Sequence, residues 1–68
     1  MDTFKAYAIV TTLHGEKIYR SMQVKGDIST AEMDESMKRW AYLLKDEIPA
    51  VDSIQITTEE TGPTTWNY

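Results

Sequence analysis

The sequence predicts an α+β domain of ββαβ(β) order, with one helix packed on one face of a small antiparallel sheet. Three observations carry that prediction. Two runs rich in aromatic and β-branched residues, 4–12 and 17–24, flank a short segment containing Gly15, as a hairpin requires. An amphipathic stretch then runs over residues 28–49. A last run, 51–58, alternates apolar and polar residues with the period of a half-buried strand.

In the hairpin, Leu13-His14-Gly15-Glu16 suits a type I turn followed by a glycine bulge, with Gly15 in a left-handed conformation. That turn pairs Val10 with Ile18 and Ala6 with Met22. It gathers Phe4, Ala6, Ala8, Val10, Ile18, Met22 and Val24 on one face. Lys5, Tyr7, Ile9, Thr11, Lys17, Tyr19, Ser21 and Gln23 fall on the other. A two-residue loop would slip the register by one and mix the faces. The bulged turn segregates polarity better, leaving Ile9 exposed and Arg20 facing the core. Arg20 is expected to run its stem along the core edge and hold its guanidinium in water.

Lys25-Gly26-Asp27 breaks the chain before the helix. Ser29 and Glu32 form a capping-box pair, and Ile28 and Met33 occupy the two positions of a hydrophobic staple. At about 100° per residue, Met33, Met37, Trp40 and Leu44 form a narrow buried stripe with Ala41 and Leu43 on its flanks. Glu35, Lys38, Arg39, Tyr42 and Asp46 lie opposite. Asp34–Lys38 and Glu35–Arg39 stand at i,i+4 in the favourable acid-first order. Pro49 ends the helix and drives Ile48 out of the α region.

In strand 51–58, Ile54 and Ile56 share a face, with Ser53, Gln55 and Thr57 on the other. Residues 60–63 read as a turn. Residues 64–68 add either a short fourth strand or a surface tail anchored by Trp66. The helix returns the chain, so the third strand runs parallel to the second and pairs with the first in the order 2-1-3. The alternative is a β-grasp order, with the last strand in the middle. The layout and length resemble the immunoglobulin-binding bacterial domains of that fold, without any binding motif, so no function is carried over. Ile54 and Ile56 make the better central strand.

The chain has 68 residues, no cysteine and a formal charge of −4. Those numbers predict one domain near the lower size limit for an unstapled core, in which no thiolate can serve as nucleophile or metal ligand. No leader and no apolar stretch of about 20 residues is present, so a soluble cytoplasmic polypeptide with no membrane contact is expected. Residues 1–26 carry four bases against two acids, and residues 27–68 three bases against nine acids. An acidic chain is repelled by phosphate backbones, which disfavours general nucleic-acid binding.

No residue pattern points to catalysis, a metal or a cofactor. His14, the sole histidine, sits in the hairpin turn without a placed carboxylate or nucleophile. Asp46-Glu47 and Glu59-Glu60 are sequence neighbours whose side chains diverge on a helix or strand. The three glycines are isolated and form no phosphate loop.

The expected function is therefore that of a non-enzymatic protein-interaction domain, such as a phage- or mobile-element-encoded inhibitor or modulator of a host protein. Inhibitors of bacterial defence systems belong to that type. The partner is expected to be a protein, or a second copy forming a homodimer. Two surfaces are candidates: the helix face around Glu35, Arg39, Tyr42 and Asp46, and the sheet face around Tyr7, Ile9 and Tyr19. Tyr42 beside Arg39 has the composition of an interface hot spot. The alternative is a module that stacks single-stranded nucleic acid on the tyrosines and lysines of the hairpin.

Overall fold

A computed structural model of the chain describes residues 3–26, 28–59 and 62–68, without the side chains of Phe4 and Lys25. The elements run β1 (Thr3–Thr12), β2 (Lys17–Lys25), α1 (Thr30–Glu47), β3 (Val51–Thr58) and β4 (Thr64–Asn67). They form one antiparallel sheet of order β2-β1-β3-β4, with α1 against one face. The order 2-1-3 is thus extended by the fourth strand, and the β-grasp alternative is ruled out. Phe4 as a core residue, the Asp27 end of the break and the Glu60-Thr61 half of the turn lie outside the described residues.

Hairpin register follows from the turn. The Gly15 N–H donates to the Thr12 carbonyl at 3.0 Å, and the Thr12 N–H to the Glu16 carbonyl at 2.9 Å. Gly15 has φ +82°, the left-handed conformation that follows a type I turn in a bulged hairpin. Val10 then stands opposite Ile18 and Ala6 opposite Met22. Thr12 adds what a propensity reading misses. Its hydroxyl accepts from the Glu16 N–H at 3.1 Å and the His14 N–H at 3.3 Å, clamping the turn from within.

The helix begins as its cap predicts. The Ser29 hydroxyl accepts from the Glu32 N–H at 3.2 Å, and the Ser29 carbonyl from the Met33 N–H at 2.9 Å. The capping box is only half made, because the exposed Glu32 side chain does not return a bond to Ser29. Ile28 packs against the core cluster that contains Met33, consistent with the staple. The last residue before Pro49, Ile48, is extended at φ −105° and ψ 123°, and buried. Asp34, Lys38, Glu35 and Arg39 are all exposed, and no ion pair joins them.

The buried stripe of α1 is rotated from the expected one. Met33, Met37, Ala41 and Leu44 are buried, Trp40 is half-buried, and Leu43 is 61% exposed. Ile48 joins the core just past the helix, so the stripe's axis lies toward Ala41, and Leu43 swings out to solvent. The stripe covers Ala6, Ala8, Val10 and Val24 of the hairpin and Ile54 and Ile56 of β3. Its backbone comes closest to β3. Trp66 of β4, opposite Ile54, closes the far margin of the core. Arg20 stays exposed on the core side of the edge strand, with Nη1 on the Tyr19 carbonyl at 3.1 Å.

The link from α1 to β3 carries the one strained backbone position among the described residues. Ala50 has φ +59°, a left-handed conformation costing an alanine about 1–2 kcal/mol. Its carbonyl accepts from the Leu13 N–H at 2.8 Å, tying this link to the hairpin turn. Ala50→Gly should therefore stabilise the domain by roughly 0.5–1 kcal/mol after the extra flexibility of unfolded glycine is deducted. Chemical denaturation measures this, and a loss of stability would show the conformation to be unstrained. Thr12→Val should cost about 1–2 kcal/mol by removing the acceptor of two turn amides. Faster hydrogen exchange at His14 and Glu16 should accompany that loss.

Candidate functional site

The helix covers only one face of the sheet. On the other face Ile9 of β1 stands opposite Tyr19 of β2 and Gln55 of β3, while Tyr7 stands between Ser21 and Thr57. Tyr7 is thus the diagonal neighbour of Tyr19, at the spacing where large cross-strand side chains meet. Tyr7 is 50% and Tyr19 66% exposed, and Ile9 is half-buried between them rather than fully exposed. The sequence-predicted cluster Tyr7, Ile9 and Tyr19 is therefore assembled. Around it lie Thr11, Ser21, Gln23, Ser53, Gln55 and Thr57, with Lys5 and Lys17 toward opposite ends of the hairpin. Strands β1 and β2 contain four cations and no carboxylate.

The outer face of α1 presents Glu35, Arg39, Tyr42 and Asp46, all exposed. A depression of about 440 Å³ there, lined by Ala31, Glu32, Glu35, Ser36 and Arg39, opens widely to solvent. It has the charged, open walls of a helix surface rather than the apolar enclosure of a small-molecule pocket. Tyr42, 59% exposed, has two companions that the periodicity misses. Leu43 is its exposed chain neighbour, and Tyr68 reaches the helix from the end of β4. The Lys45 ammonium lies 4.7 Å from the centre of the Tyr68 ring, a cation–π contact. The Tyr68 N–H donates to the Asp52 carbonyl at 2.9 Å, which fixes the end of β4 against the start of β3.

The groups considered for chemistry stay apart. His14 is exposed in the turn. Asp46 and Glu47 are exposed, and Glu60 of the second acidic pair lies outside the described residues. Among the described residues no three histidine or acidic side chains converge as a metal site would require. The crevice between α1 and the hairpin, lined by Ala6, Met22, Val24, Met33, Ser36, Met37 and Trp40, holds about 10 Å³. That is room for one water at most. No described helix is long and apolar enough to cross a membrane. Comparison with protein-family models, curated proteins and solved structures finds no match.

Partial burial, and then the nearby Tyr42, hold the Tyr68 phenol above its ordinary pKa of 10.0. Tyr68 should therefore ionise late in an alkaline ultraviolet titration, and Tyr42→Phe should bring that step to lower pH. Its raised pKa favours the fold below pH 10, and this contribution fades as the pH climbs through the folded-state value. A Tyr68→Phe titration that retains the late step would assign it to another tyrosine.

Proposed function

We propose that the chain is a non-enzymatic protein-interaction domain that binds its partner through the uncovered face of the sheet. The observation that supports this reading is the Tyr7–Ile9–Tyr19 cluster, large side chains standing together on a face that no other described element covers. Tyrosines supply broad contact area at low entropic cost, and the surrounding threonine, serine and glutamine side chains form a polar rim. A single domain of this size acts most simply by occlusion. An inhibitor or modulator of a host protein, encoded by a phage or mobile element and working in the cytoplasm, is the role that fits. The helix surface at Arg39, Tyr42 and Leu43 is the second protein-binding candidate. Part of its aromatic surface is already engaged, because Tyr68 packs over Lys45.

A second reading draws support from the charge of the same face. Lys5 and Lys17 flank the tyrosines, as on sheets that stack single-stranded bases. Two lysines on a chain of net charge −4 give phosphate little attraction, which places this reading below protein contact.

Tyr7→Ala and Tyr19→Ala should each weaken binding to a partner purified from host lysate by about 2 kcal/mol, or roughly thirtyfold, while the circular-dichroism spectrum is unchanged. Undiminished affinity in both, with a loss in Tyr42→Ala, would move the site to the helix. Salt-sensitive retention of oligothymidine that both tyrosine variants abolish would favour the nucleic-acid reading.

A further inference from the structure

The two edges of the sheet differ. One is β4, four residues long, and the other is β2, nine residues long. The turn sets which backbone groups of β2 face outward. Thr12 and Glu16 exchange the bond that closes the hairpin, so the bonded pairs further along are Val10–Ile18, Ala8–Arg20 and Ala6–Met22. The N–H and C=O groups of Lys17, Tyr19, Ser21 and Gln23 therefore point away from β1, along an edge that no other strand of the described residues pairs with. One of them has a cover, the Tyr19 carbonyl under the Arg20 guanidinium at 3.1 Å.

We propose that this edge receives an extended acidic segment of the partner protein, added antiparallel or parallel to β2 as a fifth strand. The inference rests on the protein-interaction reading and names the chemistry of the partner. Charge supports it. Strand β2 holds Lys17, Arg20 and Lys25 and no carboxylate, inside a chain that is acidic as a whole. A second copy joined edge to edge would bring two such positive strands side by side, which disfavours a β2–β2 homodimer. An acidic strand meets the opposite condition. Its carboxylates, on the open face of the sheet, are drawn to the exposed Lys17 that β2 presents there.

The core margin supplies the other half of the recognition. Ile18 and Met22 on the helix side of β2 are half-buried, as is Trp40 on the flank of α1 beside Met22. Apolar side chains at alternate positions of an added strand would cover all three. The segment that fits thus alternates apolar and acidic residues. Nucleic acid has no strand ladder to offer the edge and would engage only Lys5, Lys17 and the tyrosines.

Backbone amide titration of the full chain by nuclear magnetic resonance tests this with a probe of nine residues, the length of β2, alternating valine and glutamate. The amides of Tyr19, Ser21 and Gln23 should shift and become protected from exchange. The matching valine–lysine peptide should leave them unmoved. Ser21→Pro, which removes an outward N–H that the β1 ladder does not use, should abolish the response. Lys17→Glu, on an exposed side chain of the open face, should weaken it at least about tenfold at an unchanged fold. Unmoved edge amides at millimolar probe, or an equal response to the lysine peptide, would overturn the proposal. So would shifts confined to Tyr7 and Ile9, although these would leave the sheet-face reading standing. Response to oligothymidine alone would overturn both.

Discussion

Strand β1 is hydrogen-bonded on both sides, to β2 and to β3, and its helix-facing side chains must fit under α1. That double role constrains the rest of the structure. Ala6 and Ala8 are fully buried, and their small size leaves room above β1 for the methionines and tryptophan of the helix. Bulkier aliphatics, Ile54 and Ile56, fill the neighbouring strand where the helix backbone approaches most closely. A chain of this length has few core positions to spend, so the small and large residues must alternate across strands for the layer to close. The helix can follow the hairpin and still deliver β3 beside β1 only because residues 48–50 reverse the chain within one tight link.

That link and the hairpin turn brace each other. The Leu13 amide bonds to the Ala50 carbonyl, so the turn between β1 and β2 and the entry to β3 move together. Thr12 stands at the same end, buried, with its hydroxyl on two turn amides. The pairing of β1 with β3 also shifts there, between Thr11 and Thr12, where Asp52 is passed over and its carbonyl takes the Tyr68 N–H instead. One end of the sheet is thereby fastened by three backbone segments, residues 12–16, 50–52 and 68. These bonds gather at the end of the sheet where β2 begins, next to Lys17.

Features governed by local rules were legible in the sequence. Gly15 dictated the turn, the turn dictated the register, and the register sorted the hairpin residues between the faces. Ser29 and Pro49 marked the helix ends for equally local reasons. What depended on tertiary placement was not legible. Trp40 and Ala41 lie on opposite sides of the line through Met33, Met37 and Leu44, and the burial of Ile48 beyond the helix end tips that line toward Ala41. Leu43 became a surface residue by the same rotation. Helical periodicity puts Tyr42 on the outer face beside Arg39, and nothing within the helix reveals that the end of β4 returns Tyr68 to its side. Ala50 carried no signal, because alanine is an ordinary residue everywhere except in the left-handed conformation this link imposes. Of the candidate site, the grouping of Tyr7, Ile9 and Tyr19 was readable from register alone, but its half-buried centre was not.

The distribution of charge links fold to function more directly than any single side chain. Lysines and arginine on an edge strand are a common means of preventing edge-to-edge association, and β2 has them where a small protein needs them. Such protection acts by sign and not by shape. It opposes a second positive edge and leaves the outward backbone groups of Ser21 and Gln23 open, while the Tyr19 carbonyl is held by Arg20. In the proposed reading, charge that opposes self-pairing would still admit an extended chain of opposite charge whose other face suits Ile18, Met22 and Trp40. The tyrosine cluster lies one side chain away from that edge, through Tyr19, which belongs to both surfaces. Under the two proposals, contact with a partner at the edge and contact across the sheet face would be two parts of one footprint, joined at Tyr19.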